Sequence, residues 1–369
     1  MMSRKLPEVC EIQYGFPFDS SLFSAEGDLP LIRIRDVVRG YTETYTSEKC
    51  DVAYLVHEGD ILVGMDGVFN VAKWKGEPAY LNQRVCRIIP NETIDADFLF
   101  YFISTALKKI ENETAFVTVK HLKAKQLNAV VVPDVPIEEQ KKIAAQLNVI
   151  THLISLRQQQ AEKLDELVKA RFVEMFGEGK YGGNPLSNVC KLITDGTHQP
   201  PQFVDAGIPF LLVSNLVHNE ITYDTEKFIS KESYQELIKR TPVEIGDILL
   251  SIVGSYGHAG VVRTDKPFCF QRHIAYIKPD FSKLNSEFLH HALLSDAVKY
   301  QMEKRVKGIA QKTLNLSELK KIVVPIPPLA LQTEFSHFVH EVDREKERIQ
   351  RSAALLETLK RSLMQQYFG

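Results

Sequence analysis

Val131-Val132-Pro133-Asp134-Val135-Pro136-Ile137-Glu138-Glu139-Gln140 decides how this chain reads, because it returns as Val323-Val324-Pro325-Ile326-Pro327-Pro328-Leu329-Ala330-Leu331-Gln332. Each copy joins a β-branched run to a proline cluster. Proline is tolerated at the start of a helix and not inside one, so each cluster marks where a strand stops and a helix begins. Downstream, positions spaced alternately four and three apart form one mostly apolar series. In the first copy it runs Ile143, Leu147, Ile150, Ile154, Arg157, Ala161, Leu164, Val168, Arg171, Met175. In the second it runs Phe335, Val339, Val342, Lys346, Ile349, Ala353, Leu356, Lys360, Leu363, Tyr367. That spacing is the coiled-coil signature. It predicts long helices over about 137–176 and 329–368, with Gly177 and Gly369 as natural stops.

Working upstream, more blocks recur in the same order. Val56-His57-Glu58-Gly59-Asp60-Ile61-Leu62-Val63 returns as Val243-Glu244-Ile245-Gly246-Asp247-Ile248-Leu249-Leu250, Gln83-Arg84 as Gln271-Arg272, and Phe98-Leu99 as Phe288-Leu289. The repeat is far longer than a solenoid unit and reads as one domain plus one helix, written twice. Short strand runs such as Leu31-Ile32-Arg33-Ile34 and Val85-Cys86-Arg87-Ile88-Ile89 sit among helical spacings at Asp97–Lys109 and Ser286–Arg305. The expected class is α+β: two tandem α/β domains, separated and joined by two long helices that form an antiparallel coiled coil, in a pseudo-two-fold internal repeat. The expected layout is a first domain over 1–136, a central helix over 137–177, a second domain over 178–328 and a C-terminal helix over 329–369. At 1.5 Å per residue, a helix of about forty residues spans roughly 60 Å.

Composition narrows the class. The chain has 369 residues, with 44% hydrophobic and 25% charged, ordinary values for a globular protein. No long apolar run suits a membrane span, and the first residues do not resemble a secretory signal. Five scattered cysteines, none in CxxC spacing, favour reduced thiols in a cytoplasm. The phosphate loop GxxxxGK[ST], HExxH, GxSxG and an Asn/Asp-Pro-Pro-aromatic motif are all missing; Asn184-Pro185-Leu186 does not satisfy the last. No catalytic residue, no metal site and no cofactor is expected in this chain.

What remains is binding. The formal net charge is only -2, yet positive charge is local. Lys108, Lys109, Lys120, Lys123 and Lys125 fall between Leu107 and Leu127, and Lys299, Lys304, Arg305, Lys307, Lys312, Lys320 and Lys321 cluster in the second copy. Such runs either contact phosphates or form a solvated helix face. Both pass through polar loops, Thr118-Val119-Lys120-His121 and Ala310-Gln311-Lys312-Thr313. A second candidate loop follows the Gly-Asp-Ile-Leu strand: Met65-Asp66-Gly67-Val68-Phe69-Asn70 in one copy, Ser255-Tyr256-Gly257-His258 in the other. Its glycines allow close backbone approach to DNA, and its side chains differ between copies, as two readers of different half-sites require or as surface loops drift. Gln83, Arg84, Gln271 and Arg272 form a shared pair suited to base edges, phosphate or loop bracing. Arg33, Arg35, Ser214 and Asn215 stand at strand ends as weaker candidates. On the helices, Leu147, Ile154, Leu164, Val168, Val339, Ile349, Leu356 and Leu363 are expected to dock partners. The basic interruptions Arg157, Arg171, Lys346 and Lys360 either expose an edge for a partner or snorkel at the seam.

The duplicated order of these motifs resembles the specificity subunit of a type I restriction-modification enzyme over essentially the whole chain. Ile193-Thr194-Asp195-Gly196-Thr197-His198 is a run frequent in such subunits; the first copy carries Ile12-Gln13-Tyr14-Gly15-Phe16-Pro17-Phe18 instead. The resemblance implies that each α/β domain is a target recognition domain reading half of an asymmetric, bipartite sequence in double-stranded DNA. The helices would set the gap and dock two modification (methyltransferase) subunits that bind S-adenosylmethionine and methylate adenine. Restriction subunits using ATP and Mg would join that core. Two other readings stay open: a type IIG-like partner or nuclease with a cryptic active site, and a structural coiled-coil adaptor. A near-neutral specificity subunit is expected to bind DNA weakly alone and tightly only in its complex. Titration of labelled duplex with the lone chain checks this; tight, salt-sensitive, sequence-specific binding would contradict it.

Overall fold

The computed structural model describes residues 4–27, 29–113, 120–177, 179–308 and 311–369. Both proline clusters end a strand and open a helix. Val131–Val132 pairs antiparallel with Arg4–Lys5, and Val323–Pro325 pairs antiparallel with Gly183–Pro185. The helices Ile137–Phe176 and Leu329–Phe368 follow, each of 40 residues.

The glutamine that closes the repeated motif is buried in both copies. Gln140 Nε2 donates to the Val135 carbonyl at 2.7 Å, and its Oε1 accepts from the Asp95 backbone N–H at 2.8 Å. Asp95 in turn caps the helix Ala96–Glu113, its carboxylate accepting from Asp97 and Phe98 N–H. Gln332 repeats the arrangement: Nε2 donates to Pro327 and Lys283 carbonyls, both at 2.9 Å, and Oε1 accepts from Asn285 N–H at 2.8 Å. Asn285 caps the helix Ser286–Leu294. One amide therefore clamps the start of each long helix to the start of a domain helix. The spacing from proline to glutamine is set by that reach.

The chain divides into two compact units, Met1–Gln158 with Arg351–Gly369, and Gln159–Gln350. Each long helix thus supplies a segment to both. In the first unit, Ile143, Ala144 and Leu147 share a core with Leu363, Met364, Tyr367 and Phe368, and Tyr367 Oη donates to Gln146 Oε1 at 2.9 Å. In the second, Val168, Phe172 and Phe176 pack with Phe335, Val339 and Val342. Lys346 reaches Asp165 at 2.6 Å, and Arg171 reaches Glu334 at 3.3 Å. Within each unit the paired segments run antiparallel. All twenty heptad positions named from sequence are buried or half-buried. Three of the basic interruptions stay within the units: Arg171 and Lys346 in ion pairs, and Lys360 over the Tyr101 ring at 5.8 Å. The partition of helices from domains is less sharp than the sequence layout, because Phe98 and Phe102 pack on Phe368, and Phe288 packs on Phe172 and Phe176.

Each unit carries the same four-stranded antiparallel sheet. In the first the order is Cys10–Tyr14, Val85–Pro90, Ile61–Gly64, Val71–Lys73; in the second it is Cys190–Asp195, Ile274–Pro279, Ile248–Ser251, Ala259–Val261. A second, mixed sheet of shorter strands accompanies it, five in the first unit and four in the second, with one parallel pair in each: Leu29–Ile32 on Ala79–Leu81, and Ile208–Leu211 on Cys269–Phe270. The Gly-Asp repeat makes the turn into the Ile61 and Ile248 strands. Gly59 and Gly246 take φ of 91° and 94°, a conformation glycine adopts without a Cβ penalty. Asp60 and Asp247 close the turn by accepting from His57 N–H at 2.9 Å and Glu244 N–H at 2.8 Å. One sequence expectation changes: Ser286–Arg305 is two helices, Ser286–Leu294 and Asp296–Glu303, because Ser295 is extended and caps the second.

Gln332→Leu removes three hydrogen bonds to buried or half-buried backbone groups. Each group left unmet costs about 1–3 kcal/mol, so the variant should unfold at a clearly lower temperature or denaturant concentration than wild type. Gln311→Leu, at an exposed site, should stay within about 0.5 kcal/mol.

Candidate nucleic-acid interface

In the first unit, Tyr14, Gly15, Met65, Asp66, Gln83, Arg84 and His121 line an open cleft of about 530 Å³. Four elements build it: the end of the Cys10–Tyr14 strand, the loop after Ile61–Gly64, the turn into Val85–Pro90, and the segment at His121 that leads into the helix Ala124–Asn128. Asp66 is its centre. Its Oδ2 accepts from Arg84 Nη1 at 2.5 Å, and its Oδ1 lies 2.5 Å from His121 Nδ1. Burial works against the charged carboxylate, but the bonds from His121 and Arg84 outweigh it and hold its pKa below the usual carboxylate range. The Asp66 side chain is only 14% exposed, whereas Arg84 is 65% and His121 56% exposed. Arg84 also holds a left-handed φ of 71°, a strained state for a residue with a Cβ. The loop is locked by backbone: Gly67 N–H donates to Lys120 O at 2.9 Å and Leu122 N–H to Met65 O at 2.7 Å.

The second unit keeps this framework and changes its side chains. Gly254 N–H donates to Lys312 O at 2.9 Å and Leu314 N–H to Ile252 O at 2.8 Å, so Val253 stands where Asp66 does. The carboxylate comes instead from Asp195, at the position of Tyr14: Tyr14 pairs with Cys86, and Asp195 with Ala275. Asp195 Oδ2 lies 3.0 Å from His198 Nε2, and Oδ1 accepts from Arg240 Nη2. The exposures repeat, with Asp195 at 10%, His198 at 54% and Arg240 at 52%. Both units therefore hold one arginine and one histidine on a mostly buried carboxylate, from non-equivalent positions. Arg240 escaped the sequence reading because nothing within 45 residues of Asp195 marks it as a partner.

The pairing of Gln83-Arg84 with Gln271-Arg272 is corrected by one residue. Gly15 N–H donates to Val85 O at 3.0 Å and Gly196 N–H to Ile274 O at 3.1 Å. Val85 then matches Ile274, Gln83-Arg84 matches Arg272-His273, and Gln271 matches Asn82. Sequence identity misled because the turn differs in register while its letters coincide. Asn215 is also corrected. It is buried, its Oδ1 accepts from Leu212 N–H at 2.9 Å and its Nδ2 donates to Asp224 O at 2.8 Å, so its polar atoms close a turn and are not exposed.

The other candidates are placed as follows. Gln83, Arg272, Ser214, Lys307, Gln311 and Lys312 are exposed, and Gln271 is half-buried. Arg33 lies over the Phe23 ring, and Arg35 donates to Thr44 Oγ1 at 3.2 Å. Lys120 is engaged by Glu111, 3.6 Å away. Asn70 O accepts from Gly64 N–H at 2.8 Å, which ties that residue to its own hairpin. Exposed Ser255 lies 3.1 Å from His258 Nε2, Asn219 takes His258 Nδ1 at 3.3 Å, and Lys312 covers the Tyr256 ring beside Gly257. Thr118, Val119 and Ala310 lie outside the described residues. Of the helix residues expected to dock partners, Leu147, Ile154, Val168, Val339 and Ile349 are buried and Leu164, Leu356 and Leu363 half-buried, because the heptad seam is consumed by packing inside the units. Glu287, His290 and His291 converge closely enough to hold a cation, but the Arg263 guanidinium already takes both Glu287 oxygens, at 2.6 and 2.9 Å. Lys73 and Asp97 make the equivalent brace in the first unit.

The sequence pattern described as the type I restriction modification DNA specificity domain matches residues 1–166 and 189–357. The chain belongs to this family. It is 31% identical over 401 aligned positions to the Escherichia coli type I restriction enzyme EcoBI specificity subunit, covering 98% of this chain and 84% of that one. It is 23% identical to the MjaVIII specificity subunit of Methanocaldococcus jannaschii, covering 81% of this chain and 77% of that one. Two solved structures share the fold across the whole chain. One is a type I S subunit from M. genitalium (TM-score 0.55, 15% identity, 96% of that chain covered). The other comes from work on complex assembly and conformational transition of the type I R-M system (TM-score 0.58, 18% identity, 97% of that chain covered). Among the described residues, no helix is long and apolar enough to cross a membrane.

In this specificity-family chain, the corner beside the cleft rests on one glycine in each unit. A Cβ on Gly15 would sit 2.0 Å from Asn82 O, and one on Gly196 would sit 2.2 Å from Phe270 O. Gly15→Ala and Gly196→Ala should each push the strand end off the adjoining turn and cost about 1–3 kcal/mol in denaturant unfolding. Wild-type stability in either variant would show that the corner yields without strain.

Proposed function

We propose that this chain is the DNA-reading scaffold of a type I restriction-modification complex, each unit reading one half of a bipartite, asymmetric site in double-stranded DNA. One observation carries the reading: a single α/β framework is present twice, with a different set of polar side chains at the same corner. Equal frameworks place two readers in equivalent ways, and different side chains give them different sequences. The chain itself does no chemistry. Two modification subunits would supply S-adenosylmethionine and methyl transfer to adenine, and restriction subunits, where the host makes them, would supply ATP- and Mg-dependent steps.

The long helices would set the gap between half-sites and dock the modification subunits. With the seam consumed internally, docking would fall to a flank of each helix beside it. On the first helix Val149, Leu153, Leu156 and Leu167 are exposed large apolar residues at heptad-compatible spacing, and on the second Leu355 and Leu359. A stripe of this kind on a solvated helix marks a protein partner.

Exchanging residues 184–324 for the corresponding domain of a relative, in the complex with modification subunits, tests the reading. The methylated motif should change in one half and keep the other half and the gap. A change in both halves, or in neither, would overturn it.

A further inference from the structure

We propose that Asp66 and Asp195 are positioning residues, each holding an arginine–histidine pair as a preset reader of base edges in one half of the site. This rests on the bipartite reading above and extends it to residues. In the second unit it replaces Arg272 with Arg240 and His198 as the reading pair.

Charge separates a base reader from a phosphate clamp. A phosphate contact gains from net positive charge, because it releases condensed counterions. Here each arginine is wired to a carboxylate that cancels its charge. What the carboxylate adds is direction. Arg84 donates one hydrogen bond inward, from Nη1. Arg240 turns Nη2 inward, to Asp195 and, at 3.5 Å, to Thr194 Oγ1. A guanidinium has five N–H donors in a rigid fork, so most remain for DNA.

The histidines are set in the same way. A carboxylate accepts only, so Asp66 fixes the hydrogen of His121 on Nδ1; His198 Nε2 lies 3.0 Å from Asp195 and 3.4 Å from Arg240 Nη2, and the shorter carboxylate contact fixes its hydrogen on Nε2 and leaves Nδ1 unprotonated. In its neutral form each imidazole offers an acceptor beside the arginine donors. A donor–acceptor set of this kind suits a base edge in the major groove, where adenine shows an acceptor and a donor side by side. The opposite ring nitrogen takes the carboxylate in the two units, and the carboxylate stands on a loop in one and at a strand end in the other. The two corners therefore present different geometries, which an asymmetric site requires. Ordering these side chains before DNA arrives also lowers the entropy lost on binding.

The test uses the full chain purified with its modification subunits, acting on a randomised duplex library whose methylated sequences are read out across a salt series. Arg84→Ala and Arg240→Ala carry it, because both side chains are more than half exposed and their loss leaves the fold intact. Arg84→Ala should lower discrimination about 5- to 140-fold at one base position in one half, the range of a good bidentate contact. Arg240→Ala should do the same in the other half. The salt dependence should not change. Asp66→Asn and Asp195→Asn should relax the same positions as their arginines, and the double variant Asp66→Asn/Arg84→Ala should be no worse than Arg84→Ala alone. Uniform weakening across all sequences with a shallower salt dependence would make these residues phosphate contacts and overturn the proposal. A two-part motif unaltered by either arginine variant would also overturn it while leaving the bipartite reading intact. A wild-type complex with no two-part motif would sink both.

Discussion

A buried amide holds each half of this protein together. Gln140 and Gln332 meet the backbone polar groups left open where a long helix leaves its proline turn and where a domain helix begins. A buried backbone group without a partner is expensive, so the two helix starts cannot part without loss. The orientation of a reading domain on its own stretch of long helix is thereby a consequence of hydrogen-bond satisfaction. Apolar residues of the paired helix segments then pack into each unit's core, Phe172, Phe176, Phe335 and Val339 in one and Leu147 and Phe368 in the other.

On that shared support the two corners diverge. The backbone pattern around Gly67 and Gly254, and around Gly15 and Gly196, is the same to within a few tenths of an ångström in its hydrogen bonds. The side chains are not. A carboxylate enters from a loop in one unit and from a strand end in the other, and each gathers an arginine and a histidine. Duplication thus gives two different side-chain sets on one fold: the framework is kept by backbone bonds that ignore side-chain identity, and the corner is free to change.

Much of the architecture was legible because periodicity reports it directly. Prolines, the 3–4 spacing, the Gly-Asp turns and the ordered repeat each reflect a local backbone constraint that a single sequence displays. The candidate site was legible only in part. Asp66, Arg84 and His121 were all named, but as members of separate segments, and nothing in the letters said that one carboxylate joins them. Gln271-Arg272 was matched to Gln83-Arg84 by identity, although strand register places it one residue away. Asn215 looked available and is consumed by its turn. Arg240 had no signal at all.

The sequence by itself determined that this is one unit written twice, that each unit ends in a long heptad helix, and that known catalytic motifs are missing, because these depend on residue type and spacing along the chain. Only the tertiary structure decided which residues share a corner, which seam positions are consumed by packing, and which polar groups remain to face a ligand. Those are outcomes of contacts between residues far apart in sequence, such as Arg240 with Asp195 or Gln332 with Asn285. No periodicity encodes such pairings, since they are fixed by where strands and turns meet in space.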